Sequence, residues 1–289
     1  MASIVRPTVR AQSNIGNSRL VGRIILYVVL TLIAIFFLLP LLWMLVTALK
    51  PSAEWLQSNW IPQNPTLDNF NRLFSNDNAP VFSWFINSIG VSVAATLLIL
   101  ALDSLAGYAY ARLEFRGRNA LFTLMIATLA LPGIVFLVPN YLTINNLGWL
   151  NSYQGVIAPG LAGVFGVFFL RQFFQSLPKE LEEAGRIDGA STWTNFWQIA
   201  LPLSVPALAT LGIITFLASW NDYLWPWLIL QDNSKYTLPV GLRSLQGSFT
   251  FDYGIIMAGA VIASVPVIIL YLLLQRYIIQ SVAMTGLKG

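Results

Sequence analysis

Six runs of about twenty largely apolar residues, at 24–46, 85–106, 120–142, 153–173, 201–220 and 254–277, constrain this chain more than any other feature. Each is close to the roughly 20 residues that carry an α-helix across a bilayer core. In hydrocarbon every backbone N–H and C=O has to be satisfied within its own segment, so such runs fold as helices. With 56% hydrophobic and only 10% charged residues, against about a quarter charged in a soluble domain, the chain reads as an all-α membrane protein with six transmembrane helices.

The sidedness follows from lysine and arginine. Arg6, Arg10, Arg19 and Arg23 precede the first run; Arg112, Arg116 and Arg118 follow the second; Arg171 lies at the end of the fourth, with Lys179 and Arg186 after it; Arg276 and Lys288 lie at the end of the chain. Only Lys50, Arg72, Lys235 and Arg243 fall in the alternate loops. Because basic loops stay on the cytoplasmic side, both termini are expected in the cytoplasm and the loops at 47–84, 143–152 and 221–253 outside. The net charge of +4 is thus a matter of topology and points to membrane lipid, not to nucleic acid. Trp55, Trp60, Trp84, Trp149, Trp220, Trp225 and Trp227 gather at the outer ends, as an aromatic interface belt would. The first run is too long for a signal peptide, so the start is expected to be retained. The divisions read as a cytoplasmic tail (1–23), a first helix with its outer loop (24–80), a transmembrane domain (81–280) and a second cytoplasmic tail (281–289).

Within the runs, small residues recur at Ala158, Ala162 and Gly166 and at Gly259 and Ala263, spacings that let helices approach closely. Pro132-Gly133, Pro159 and Pro266 are expected to kink their helices. Asp103 is the acidic residue well inside a run, which makes it a functional candidate. Its position near the cytoplasmic end favours a hydrogen-bonded or ion-paired group; the sharper reading is a proton-coupling site.

Between the fourth and fifth runs lies a charged interruption, 177–200. Pro178 can open a short helix, with Glu180, Glu182 and Glu183 near its positive end. Leu177, Leu181, Ala184 and Ile187 mark an apolar face at helical spacing. Gly189 permits a turn, Ser191 can cap a second helix carrying Trp193, Phe196 and Trp197, and Pro202 forces a break before the next run. A helical hairpin held at the membrane surface is a docking element.

Glu183-Ala184-Gly185, three residues, Gly189, nine residues, Ile199, one residue and Leu201-Pro202 resembles the EAA motif of ABC importer permeases. The departure is Gly185, where that family usually has a second alanine. Asn87-Ser88, the stretch Ala106-Gly107-Tyr108-Ala109-Tyr110-Ala111-Arg112, Trp220-Asn221-Asp222, Gln275-Arg276-Tyr277 and the final Gly286-Leu287-Lys288-Gly289 are similar to the carbohydrate, maltose-type group. The resemblance implies a type I importer architecture in a bacterial or archaeal cell (inner) membrane, with six spans. It further implies two ABC ATPase subunits, a second permease subunit of different sequence and an extracytoplasmic solute-binding protein. Glu183, Ala184, Gly185, Asp188, Gly189, Ile199, Leu201 and Pro202 would couple to the ATPase. Trp220, Asn221 and Asp222 are candidates for the substrate route, and Gly286 and Lys288 for a tail that touches the ATPase.

No catalytic, metal or cofactor residues are expected in the chain itself. It has no cysteine and no histidine, and none of Lys50, Lys179, Lys235 and Lys288 is followed by Ser or Thr, so it carries no phosphate-binding G-x-x-x-x-G-K-[ST] loop. ATP and magnesium would then bind on a separate polypeptide. The alternatives are a secondary transporter driven by protons or ions through Asp103, which would call for paired intramembrane charges or an inverted repeat, and a membrane scaffold whose hairpin merely recruits a partner.

Overall fold

The computed structural model describes residues 14–54, 59–76, 79–245 and 252–286. Trp55 and the terminal Leu287, Lys288 and Gly289 lie outside them. Helix α1, Asn14–Ala48, begins ten residues inside the segment expected as a polar tail. After a short outer helix, α2 (Asp68–Phe74), comes the long α3 (Val81–Arg112). Then α4 (Arg118–Ala127) and α5 (Leu137–Asn146) form one broken pair, and α6 (Tyr153–Ile157) and α7 (Val164–Ser176) another. The hairpin consists of α8 (Lys179–Ile187) and α9 (Thr192–Asn195), the latter continuing through a π-type turn at Phe196–Ala200 into α10 (Leu201–Leu203). Helices α11 (Val205–Trp220), α12 (Leu224–Ile229), α13 (Leu238–Ser244) and α14 (Tyr253–Gly286) complete the order.

Three helices are unbroken, apolar and long enough to cross a bilayer: Leu20–Ala48, Val81–Arg112 and Tyr253–Gln275. The other three runs are bent, by 95° between Arg118–Ala130 and Gly133–Asn146, 51° between Tyr153–Gly160 and Val164–Ser176, and 75° between Thr192–Leu203 and Val205–Trp220. Proline alone does not decide this, since Pro40 and Pro266 sit inside α1 and α14. The breaks fall where the lost donor is joined by a second weakness: a following glycine at Pro132-Gly133 and Pro159-Gly160, or the π turn before Pro202. The break at 161–163 also splits the Ala158–Ala162–Gly166 stripe between two elements, so it is not one packing face.

Helix α3 is the central element, packed along α7 and α11, while α14 packs on α11 and α1. At the α3/α7 crossing Gly166 lies directly against the carboxylate of Asp103, leaving no room for a Cβ. Asp103 is only 2% exposed and its Oδ2 has no hydrogen-bond partner among the described residues. The expected hydrogen-bonded or ion-paired carboxylate is therefore not what that oxygen shows: helix packing has enclosed it first.

The outer core contains Trp84, Phe216, Trp220, Leu238 and Ala258. Trp84 and Trp220 thus depart from the expected lipid belt. Their indole N–H groups, which need acceptors once buried, donate to Asn233 O (2.7 Å) and Ala263 O (3.1 Å). Trp227 remains exposed. The family-like Asn87-Ser88 is explained by the same region. Asn87 Nδ2 donates to the carbonyls of Ser234 and Tyr236, and Ser88 Oγ accepts from Leu238 N, so the first turns of α3 hold the loop leading into α13.

Asn151 joins that loop to the α5–α6 connection. Its N–H donates to Ile229 O, its Oδ1 accepts from Gln231 N and Asp232 N, and its carbonyl accepts from Lys235 Nζ. The backbone at Asn151 is left-handed, φ 54°, a conformation asparagine tolerates better than most residues. Asn151→Gly keeps the backbone and loses both side-chain bonds, at about 1 kcal/mol each. Asn151→Ala adds roughly 1–2 kcal/mol for a Cβ without a compensating polar group in this region. Thermal unfolding in detergent should rank wild type above Gly above Ala; equal midpoints for all three would remove Asn151 from this role.

Candidate functional site

The hairpin is closed by local backbone chemistry. Ala190 N donates to Gly185 O (2.8 Å) and Gly189 N to Arg186 O (3.1 Å), the paired bonds of a Schellman ending, with Gly189 at φ 85°. Ser191 Oγ then accepts from Thr194 N (3.1 Å) and caps α9. Pro202 has no N–H to offer the carbonyl four residues back, and the chain widens into the π turn over Phe196–Ala200 just before it. Buried Ser204, whose Oγ donates to Ala200 O (2.7 Å), stitches the widened turn before α11 departs.

Of the expected apolar face, Leu177 packs on the core around Tyr108 and Phe174, while the residues on α8 itself turn away from this chain. Leu181 and Ala184 are exposed and Ile187 is 86% exposed. The side of α8 turned inward carries Glu182, 6% exposed, and Gly185. Glu182 Oε1 is ion-paired with Arg112 Nε at 2.7 Å, and its Oε2 accepts from Tyr108 Oη at 3.1 Å. Arg112 Nη2 also donates to Leu177 O (2.8 Å), and Asn195 Nδ2 donates to Glu182 O (3.1 Å). A Cβ on Gly185 would stand 2.5 Å from Asn195 Oδ1 and 2.9 Å from Ile199 Cδ1. The alanine usual in the family could not sit here without displacing the Asn195 and Ile199 side chains, so Gly185 suits the close approach of the two arms.

Of the motif residues, Gly185, Asp188, Gly189 and Ile199 line a cleft of about 450 Å³ between the arms, together with Thr194 and Gln198. Glu183 lies on a neighbouring polar cavity with Lys179 and Arg186. Glu183, Ala184 and Pro202 are exposed and Leu201 is half-buried. On the opposite side of the membrane, Trp220, Asn221 and Asp222 do not form one lining. Trp220 points into the protein against Phe85 and Phe216, and Asn221 Nδ2 donates to Leu217 O (2.9 Å) at the end of α11. Asp222 alone of the three lines a cavity of about 240 Å³, with Thr215 and Ser219 of α11, Val91 and Ala95 of α3, and Val156 of α6 among its walls. Burial pushes the Asp222 carboxyl above the usual carboxylate range, and the N–H groups of Trp225 and Leu224 draw it partly back. Gly286 is the last residue of α14.

Glu182, Tyr108, Asn195 and Asn151 escaped sequence reasoning as site or anchor residues. Glu182 sits beside two other glutamates, and only the phase of α8 against α3 distinguishes the buried one.

The family described as binding-protein-dependent transport system inner membrane component matches residues 103–284. The arabinooligosaccharides transport system permease protein AraQ of Halalkalibacterium halodurans is 37% identical over 261 residues, 89% of this chain and 93% of the relative. The trehalose/maltose transport system permease protein MalG of Thermococcus litoralis is 34% identical over 270 residues, 92% and 97% of the two. The diacetylchitobiose uptake system permease protein NgcG of Streptomyces coelicolor is 34% identical over 262 residues, 89% and 86%. A solved bacterial ABC transporter involved in the import of the acidic polysaccharide alginate has a chain with TM-score 0.79 to this one, at 24% identity and covering 93% of this chain and 99% of that one. That likeness shows a shared fold. These findings favour an ABC importer subunit over a secondary transporter working through Asp103. The match runs from Asp103 through the hairpin and into α14, and the chain belongs to the family of binding-protein-dependent transport system inner membrane components.

Proposed function

We propose that this chain is one of two permease subunits of an ATP-driven importer for sugars or related polyols in a bacterial or archaeal inner membrane. The observation that carries the proposal is the inverted character of α8: its acid Glu182 is buried in its own subunit while Ile187 stands 86% exposed. A cytoplasmic helix that turns Leu181, Ala184 and Ile187 outward offers an apolar ridge to a partner. The partner is an ABC ATPase subunit, which supplies the ATP and magnesium chemistry that the chain's own residues do not provide. A second permease of different sequence completes the pathway, and a solute-binding protein delivers cargo from outside. Names of the relatives, which cover arabinooligosaccharides, trehalose and maltose, and diacetylchitobiose, support a short oligosaccharide as cargo. The tail at Gly286 and Lys288 lies on the same side as the hairpin by the distribution of basic residues, and it would add a second contact with the ATPase.

Purification of the chain with the products of its neighbouring genes tests the assembly. An ATPase and a second permease should co-purify, and the associated binding protein should retain a short oligosaccharide from a mixture of arabino-, malto- and chito-oligosaccharides. Isolation without an ATPase would overturn the reading; retention of an amino acid or metal instead of a sugar would overturn the cargo.

Asp222 is proposed to face the route, since Thr215, Ser219 and Asp222 present hydroxyls and a carboxyl from one face of α11 and its end to the outer cavity, as hydroxyl-rich cargo requires. Asp222→Asn should lower uptake about tenfold, the loss expected when a good polar contact worth about 1.4 kcal/mol is removed, with the ATPase still bound. Asn221→Leu, at an exposed helix end, should have a smaller effect. Unchanged uptake kinetics in Asp222→Asn would make the residue a helix cap only.

A further inference from the structure

We infer that the buried Arg112–Glu182 pair is the joint through which hairpin displacement reaches the pathway, making the hairpin and the inner end of α3 one moving body. The inference rests on the reading of the hairpin as the ATPase contact and assigns the residues that pass its motion on.

Both covalent links of the hairpin to its membrane helices are compliant. Between α7 and α8 the chain runs through Leu177 and Pro178, which are extended rather than helical, with ψ of 141° and 127°. Between α9 and α11 it runs through the π turn, Pro202 and a 75° bend. A push on the hairpin could be absorbed at either place. The contacts with α3 bypass both. Tyr108 and Arg112, one turn apart on α3 and therefore on one face, converge on the same Glu182 carboxylate. Arg112 also grips the hinge itself at Leu177 O, and Asn195 binds the second arm to Glu182 O. The Arg112 and Glu182 side chains are 5% and 7% exposed on the wall of the polar cavity that also holds Glu183, so salt screens them less than it would a surface pair.

An ion pair is a poor choice for stability alone, because apolar residues of similar volume commonly serve as well or better at buried sites. What the pair supplies is a close charge contact that neither element can leave without a buried charge uncompensated, with direction added by the Tyr108–Glu182 and Arg112–Leu177 hydrogen bonds. Helix α3 also contributes Val91, Ala95 and Ile99 to the wall of the outer cavity. A rigid α3 consequently joins the cytoplasmic contact to the outer cavity.

The chain has no native cysteine, so introduced ones are the only labelling sites in this subunit, and any cysteines of the other subunits are replaced by serine. With Leu105→Cys on α3 and Glu180→Cys on α8, both exposed in the isolated subunit, spin labels are placed on the assembled importer in lipid nanodiscs. Their separation should be the same without nucleotide and with ATP, magnesium and vanadate. In the same importer with Ile99→Cys as its sole cysteine, maleimide labelling should change rate on nucleotide addition. Adding Glu182→Gln should leave the ATPase bound while that nucleotide response shrinks by roughly five- to a hundredfold, the range of typical coupling free energies between sites. The reversed pair Arg112→Glu with Glu182→Arg should restore it.

Labels that separate on nucleotide binding in the otherwise wild-type importer would overturn the joint, and that measurement decides even if Glu182→Gln fails to accumulate. A full Ile99 response in an assembled Glu182→Gln importer would overturn it as well. Loss of the ATPase from the unmodified importer would instead be the failure of the docking reading.

Discussion

Gly241→Ala is expected to lower the unfolding midpoint more than any other single methyl addition in the outer core. Gly241 lies in α13 against the indole of Trp84, and a Cβ built on its backbone would overlap the ring. The ring has little freedom to withdraw. Trp84 is fully buried, and its Nε1 is held at 2.7 Å from Asn233 O, in a loop already fixed by Asn87 and Ser88. Overpacking of this kind costs about 1–3 kcal/mol and sometimes more, and α13 must move because the neighbour is a rigid bicycle rather than a flexible chain end. A smaller ring should relieve the strain, so Trp84→Phe and Gly241→Ala together should be less harmful than the sum of the two alone. The expected interaction is about 1 kcal/mol or more, within the range for residues in contact. Thermal unfolding in detergent of the two single variants and the double gives the comparison. Additive losses would mean that α13 and α3 do not meet as described.

The sequence made the spans legible because each had to be apolar over most of its length, with a single carboxylate, Asp103, tolerated where α7 encloses it. It also marked the hairpin turn, since Gly189 and Ser191 act through their own backbone and nearest neighbours. What it concealed depends on rotation about a helix axis. Leu181, Ala184 and Ile187 marked an apolar face of α8, but apolar periodicity identifies a face without saying who covers it. In a subunit of a larger assembly the partner can be the one, and here the buried side carries Glu182. Tryptophan misled for a related reason. Trp84 and Trp220 lie at the right depth for an interface belt, but depth does not distinguish lipid from a neighbouring helix; Asn233 O and Ala263 O, far off in sequence, decide it. Asn151 gave no periodic signal at all, because its four bonds depend on a loop some eighty residues away.

A graded series at Gly189 should separate the conformation of the hairpin turn from its packing. Nothing lies within 4 Å of where a Cβ would stand, so a side chain here meets no obstacle; its cost comes from φ 85° alone. Asparagine tolerates this region, alanine loses about 1–2 kcal/mol there, and a β-branched residue is the least compatible. The ATPase should therefore remain bound to Gly189→Asn, weaken with Gly189→Ala and be largely lost with Gly189→Val. At roughly 2–3 kcal/mol of backbone strain, the turn would open its Ala190–Gly185 and Gly189–Arg186 bonds and let α9 swing from α8. The six spans should insert normally in every variant, because no buried residue of a membrane helix is touched. Co-purified ATPase and its rate of ATP hydrolysis provide the readout, with the amount of permease in the membrane as the control. A valine variant that retains the ATPase at wild-type levels would show that the hairpin docks without needing its Schellman turn, and the motif glycine would then have no conformational role in coupling.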